Sequence, residues 1–164
     1  DIYVGYRYFD SFGKEVSFPF GFGLSYTTFA YDQMKVNKQG DTYTVSVEVK
    51  NIGNLPGRNV VELFVAAPHN KQLNKPEKEL RDYAKTSLLQ PGQRETVTMK
   101  VRTADLASFD EKASAWKTAA GTYQFMICAS ANKIETECPV AVNSYRKKVN
   151  NIMKPQVKLN RLHR

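Results

Sequence analysis

Tyr43, Val45, Val47 and Val49 alternate without a break with Thr44, Ser46, Glu48 and Lys50. A period of two sets the four apolar side chains on one face of an extended strand and the polar ones on the other. Such a strand has to lay its apolar face against a second layer. Similar patterns follow along the chain. Val97, Met99 and Val101 alternate with Thr98, Lys100 and Arg102 after a Pro91-Gly92 turn, and Tyr123, Phe125 and Ile127 form an inward set after Gly121. Asn59 to Ala66 is more evenly apolar, which suits a central strand covered on both sides. Ile134 to Val142 reads as the last strand, and Pro139 places it at an edge. Short strands parted by Gly, Pro and Asn, with no long helical period, predict an all-β sandwich. Its expected core holds Val45, Val47, Leu63, Val97, Val101, Phe125 and Ile127.

The two ends have a different composition. Eleven of the nineteen aromatic residues lie in the first 31 positions. Ile2, Val4, Tyr6 and Tyr8 alternate as in a strand, with Tyr3 and Phe9 on the other side, and a strand apolar on both faces belongs inside a covered sheet. No βαβ pattern follows to supply that sheet, so it is expected upstream. The chain starts on Asp1 rather than Met, and any leader is likewise expected upstream. The chain divides into an arm (1–28), a sandwich (29–142) and a tail (143–164).

The formal charge is +8, and it is concentrated. Arg146, Lys147, Lys148, Lys154, Lys158, Arg161 and Arg164 give the tail seven basic residues and no acidic one, so the body is nearly neutral. A nucleic-acid surface spreads charge over a folded face and interleaves aromatics. Here the interleaved residues are aliphatic apart from Tyr145, so nucleic acid is not an expected partner. The tail reads instead as an arm lying on an acidic surface of its own protein. Val149, Ile152 and Met153 could share a helical face, but Pro155 stops a helix there. Val157 and Leu159 alternate beyond it, which favours a short turn and an extended strip. No apolar run of about 18 residues exists, so no membrane-spanning helix is expected.

Few residues suggest chemistry. His69 lies in the polar, lysine-rich loop Pro68 to Glu79, and His163 lies in the tail. Neither has ligand-spaced companions, so no metal is expected. Gly21 and Gly23 precede no helix, so they form no phosphate cradle, and no cofactor is expected. Asp105, Asp110 and Glu111 read as turn and cap carboxylates. Cys128 would face Glu135 across a tight turn near Ala131-Asn132, or Cys138 across a five-residue loop. Free thiols are the favoured reading.

Pro19-Phe20-Gly21-Phe22-Gly23-Leu24-Ser25-Tyr26-Thr27-Thr28-Phe29, with Val4-Gly5-Tyr6-Arg7-Tyr8-Phe9-Asp10 before it, resembles the carboxy-terminal part of family 3 glycoside hydrolases. Val49 to Asn54 with Gly57, Leu89-Gln90-Pro91-Gly92, Asp105 to Asp110 and Ala120-Gly121-Thr122-Tyr123 follow in that family's order. The tyrosine-rich form of residues 5–10 looks more like the β-glucosidase branch than the xylosidase branch.

This resemblance implies an immunoglobulin/fibronectin type III-like sandwich preceded by the end of an α/β domain. It also implies a non-catalytic domain of an enzyme that hydrolyses terminal β-D-glucosyl residues. A retaining glycosidase needs two carboxyls about 5 Å apart. In this family both motifs lie upstream, so no catalytic residue is expected here. Weak substrate-binding candidates are Phe20 and Phe22, held on a glycine-flanked path, and Trp116, which the family carries in a loop. Packing is the favoured role for all three. The implied partners are the upstream catalytic domains and, through them, a β-glucoside. Arms without their partner are expected to fold back on the sandwich or to pair with a neighbouring chain as a homo-oligomer. A bacterial periplasmic or secreted location is implied by the family alone. The alternative is an independent carbohydrate- or protein-binding sandwich, against which the aromatic arm argues, because a self-sufficient module has no use for it.

Overall fold

A computed structural model describes residues 2–69 and 74–163. Its core lies between two antiparallel sheets. The first orders β1 (Phe29–Gln39), β2 (Thr42–Asn51) and β5 (Arg94–Arg102) side by side. The second orders β4 (Glu79–Lys85), β3 (Val60–Ala66), β8 (Gly121–Ser130) and β9 (Lys133–Val142). The fold is an all-β, fibronectin type III-like sandwich.

The alternation in β2 accounts for its place. Tyr43, Val45, Val47 and Val49 are fully buried, and the residues between them are only partly covered. Their cross-strand partners in β5 include Val101 opposite Tyr43, Met99 opposite Val45 and Val97 opposite Val47. From the other sheet come Val61, Leu63, Val65, Tyr123, Phe125 and Ile127. The Tyr43 and Phe125 rings meet across the gap with centroids 5.6 Å apart. All seven residues expected in the core are in it.

Three features depart from the sequence reading. Residues 2–9 do not form a strand; Tyr6–Ser11 make a short helix, α1. Gly5 at φ 58° turns the chain into it, and the Phe9 and Phe12 amides donate to the Gly5 and Tyr8 carbonyls at 3.2 and 3.1 Å. A strand there needs neighbours to pair with, whereas a helix satisfies its own backbone. The second departure is a third small sheet of β6 (Ser108–Asp110), β7 (Ala115–Thr118) and β10 (Tyr145–Lys148). Ile134 to Val142 therefore lies in the edge strand of its sheet but is not the last strand. β10 pairs antiparallel with β7, Tyr145 opposite Thr118 and Lys147 opposite Trp116. Third, β4 escaped notice because charge masks it: Glu79, Arg81, Asp82 and Lys85 fill four of its seven positions.

The cysteines lie in different registers. Phe125 of the inner core faces Cys138, while Cys128 faces Ile134 after a bulge and sits with Phe64, Met126 and Ala131 on the outer face. Both are free thiols. Burial pushes the Cys128 thiol up to about 12, far from thiolate chemistry at neutral pH.

Candidate functional site

The outer face of the four-stranded sheet cannot be left open, because β3 is apolar on both sides. Phe64, Met126, Cys128 and Ala131 form a second buried cluster there. The arm covers them. Tyr6 sets its ring edge-on to Phe64 at 5.5 Å and tilts against Phe20 at 5.0 Å. Its hydroxyl accepts the Leu80 amide at 2.8 Å. Phe20 adds a backbone tie, its carbonyl accepting the Ala131 amide at 2.8 Å. Tyr3, 5% exposed, packs edge-on to Phe12 at 5.0 Å and donates to Asn74 Oδ1 at 2.5 Å.

Polar contacts fasten the helix to the strand beneath. The Ser11 hydroxyl accepts the Glu77 amide at 2.8 Å, and Lys78 meets Asp10 at 2.8 Å. Glu79 collects Lys75 at 3.2 Å, Arg81, and Arg7 at 4.0 Å. Burial opposes ionisation of Glu79, yet Arg81 and Lys75 hold its carboxyl below the usual range. Burial pushes the Lys75 ammonium down while Glu79 resists.

The far side of the arm is bare. Phe18 is 70% exposed, Leu24 92% and Tyr26 95%; Val4 and Phe22 are exposed as well. Phe18 and Phe22 stack on each other at 5.0 Å rather than on the sandwich. Contiguous exposed apolar surface of this kind usually marks an interaction site.

Phe20 thus faces Tyr6 in the arm's contact with the sheet, while Phe22 belongs to the bare strip. Trp116 lies on β7 of the third sheet, packed against Phe109 at 5.4 Å and about half exposed. The three candidate residues do not converge on one pocket. The acidic residues have local partners. Asp105 accepts from the Arg102 amide and guanidinium at 2.9, 3.1 and 2.8 Å. Asp110 accepts from Ala113 N at 3.0 Å and Lys117 Nζ at 2.6 Å. Glu111 pairs with Arg161 of the tail. Their hydrogen bonds to Arg102 and Lys117 hold the Asp105 and Asp110 carboxyls below the usual range.

The tail folds back in the same way, with the Val149 amide donating to the Ser114 carbonyl at 2.9 Å. Among the described residues no cluster of three His, Cys, Asp or Glu could hold a metal, and no helix is long and apolar enough to cross a membrane. Residues 70–73 of the loop around His69 lie outside the described residues.

One residue at the arm's underside escaped the sequence reading. Glu62 is 6% exposed beneath Gly21, and its Oε2 meets no donor among the described residues. A lone carboxylate inside the apolar run Val60–Ala66 was the available signal.

Residues 59–131 match the family described as "Fibronectin type III-like domain". The chain is 43% identical over 152 residues to β-glucosidase A of Butyrivibrio fibrisolvens, covering 79% of this chain and 18% of that protein. Probable β-glucosidase H of Emericella nidulans is 40% identical over 152 residues, covering 89% of this chain and 18% of its own length. Among solved structures, β-glucosidase 3B of Thermotoga neapolitana superposes with a TM-score of 0.86 at 40% identity, over 91% of this chain and 21% of that one. The chain therefore spans about one fifth of the length of the relatives it matches.

Proposed function

Because this chain belongs to the C-terminal, fibronectin type III-like region of family 3 β-glucosidases, we propose that it serves such an enzyme as a non-catalytic buttress. The hydrolysis of terminal β-D-glucosyl residues would then take place in domains outside this chain. The bare apolar strip of Phe18, Phe22, Leu24 and Tyr26 carries this reading. It sits on an arm whose other side is fastened to the sandwich through Tyr6 on Phe64, the Phe20 carbonyl, and the Arg7–Glu79 and Asp10–Lys78 ion pairs. An arm fixed on one side and apolar on the other is built to join two bodies.

The upstream catalytic domains are the partner in this reading, and the strip is where they rest. Asp105 and Asp110 are held ionised by local cations, which suits neither to the part of a glycosidase's acid. A general acid needs a raised pKa. The test is to replace Phe18 and Phe22 together by Ser in the intact enzyme. A lower melting temperature with turnover retained below the transition is expected. An unchanged melting temperature would remove the strip from the interface.

A further inference from the structure

Glu62 occupies a place where a carboxyl needs a reason. On β3 its neighbours Val61 and Leu63 point into the core between the sheets, while Glu62 and Phe64 point to the outer face. Its cross-strand partners are Tyr83 of β4 and Cys128 of β8. Over it lies the turn closed by the Phe22 amide on the Pro19 carbonyl at 3.0 Å. A β-carbon on Gly21 would fall 2.5 Å from both carboxyl oxygens of Glu62, so the turn shuts directly onto this group. Gly21 stands at φ 80°, a conformation other residues adopt only under strain. The titratable groups sharing this field are Tyr31 from β1, Cys128 from β8, Glu135 and Glu137 from β9, and Lys78 ahead of β4. Lys78 is committed to Asp10 at 2.8 Å.

We infer that Glu62 is a protonation-controlled fastener between the arm and the sandwich. Protonated, it is a neutral group on which the Gly21 turn closes. Ionised, it becomes a charge sealed under the turn without a counter-ion, and the turn lifts to let water reach it. Burial pushes its carboxyl from 4.5 up to about 7, so the change falls near neutral pH. The arm is held most firmly below that range and released as pH rises through it. Everything the fastener needs lies within this chain, whatever the free side of the arm meets.

Hydrogen exchange on the whole chain tests it, with the Ala131 amide as reporter because that amide donates to the Phe20 carbonyl. After correction for intrinsic exchange, its protection is expected to fall roughly 30-fold between pH 5.5 and pH 8, as linkage to a carboxyl moved from 4.5 to about 7 dictates over that interval. In Glu62→Gln, protection is expected to stay high and flat. The Glu62 carboxyl carbon, followed by NMR in the unaltered chain, is expected to titrate with a midpoint above 6. A midpoint near 4.5, or the same loss of protection in Glu62→Gln, would overturn the inference.

Discussion

The Thr27 hydroxyl donates to Asn51 Oδ1 at 2.6 Å, joining the end of the arm to the end of β2 inside the protein. Asn51 is fully buried and uses its whole amide. Oδ1 also accepts the Gly53 amide at 3.0 Å, and Nδ2 donates to the Leu55 and Leu89 carbonyls at 2.8 and 2.9 Å. A β-carbon on Gly57 would approach Thr27 Cγ2 to 2.5 Å, so a glycine is needed for the closure.

Asn51→Ala strands several buried partners at once, each costing about 1–3 kcal/mol. A loss of about 3–5 kcal/mol is expected in urea denaturation. A loss below about 1 kcal/mol would mean that water replaces the amide.

Phe125→Ala removes a fully buried ring that touches Tyr43 across the two sheets. The expected cost is about 3–5 kcal/mol, the range for emptying a core aromatic site. An unchanged denaturation midpoint would contradict the packing described.

Tyr6→Phe keeps the ring against Phe64 and Phe20 but leaves the Leu80 amide without its acceptor. The arm should loosen by about 1–2 kcal/mol. Faster cleavage within residues 12–26 under limited proteolysis, with the global melt little changed, is the expected readout.

Stability against pH has two opposed parts. The Glu62 carboxyl is raised in the folded state, so its contribution is complete below about 4.5 and is lost as pH rises toward about 7. Glu79 and Asp105 are held below their usual range, so their contributions appear as pH rises and are lost in acid. The difference between Glu62→Gln and the unaltered chain isolates the first part. That difference should favour the variant increasingly from pH 5 to pH 7 and then level off. A difference that does not change with pH would place the folded pKa of Glu62 near that of the unfolded chain.

Strands with strict alternation were legible, because period two allows one buried face and nothing else; β2 and β5 are examples. α1 was not, since Ile2, Val4, Tyr6 and Tyr8 alternate by composition while Gly5 decides the backbone. β4 and β7 were hidden by charge and brevity, their places being set by long-range pairing with β3 and β10. The same holds for Glu62: a glutamate in a strand is unremarkable until a distant glycine is seen to close over it. The fibronectin-like sandwich was readable from pattern and motif together. The underside of the arm, where Tyr6, Phe20 and Glu62 meet the sheet, was not.

The central claim is that this chain supports catalysis done elsewhere and performs none itself. Purified chain at high concentration, assayed with p-nitrophenyl β-glucoside, tests it most directly. No turnover above the buffer control is expected, because Asp105, Asp110 and Glu111 are committed to Arg102, Lys117 and Arg161 rather than set as a nucleophile and acid. Turnover that co-purifies with the chain and scales with its concentration would contradict the account.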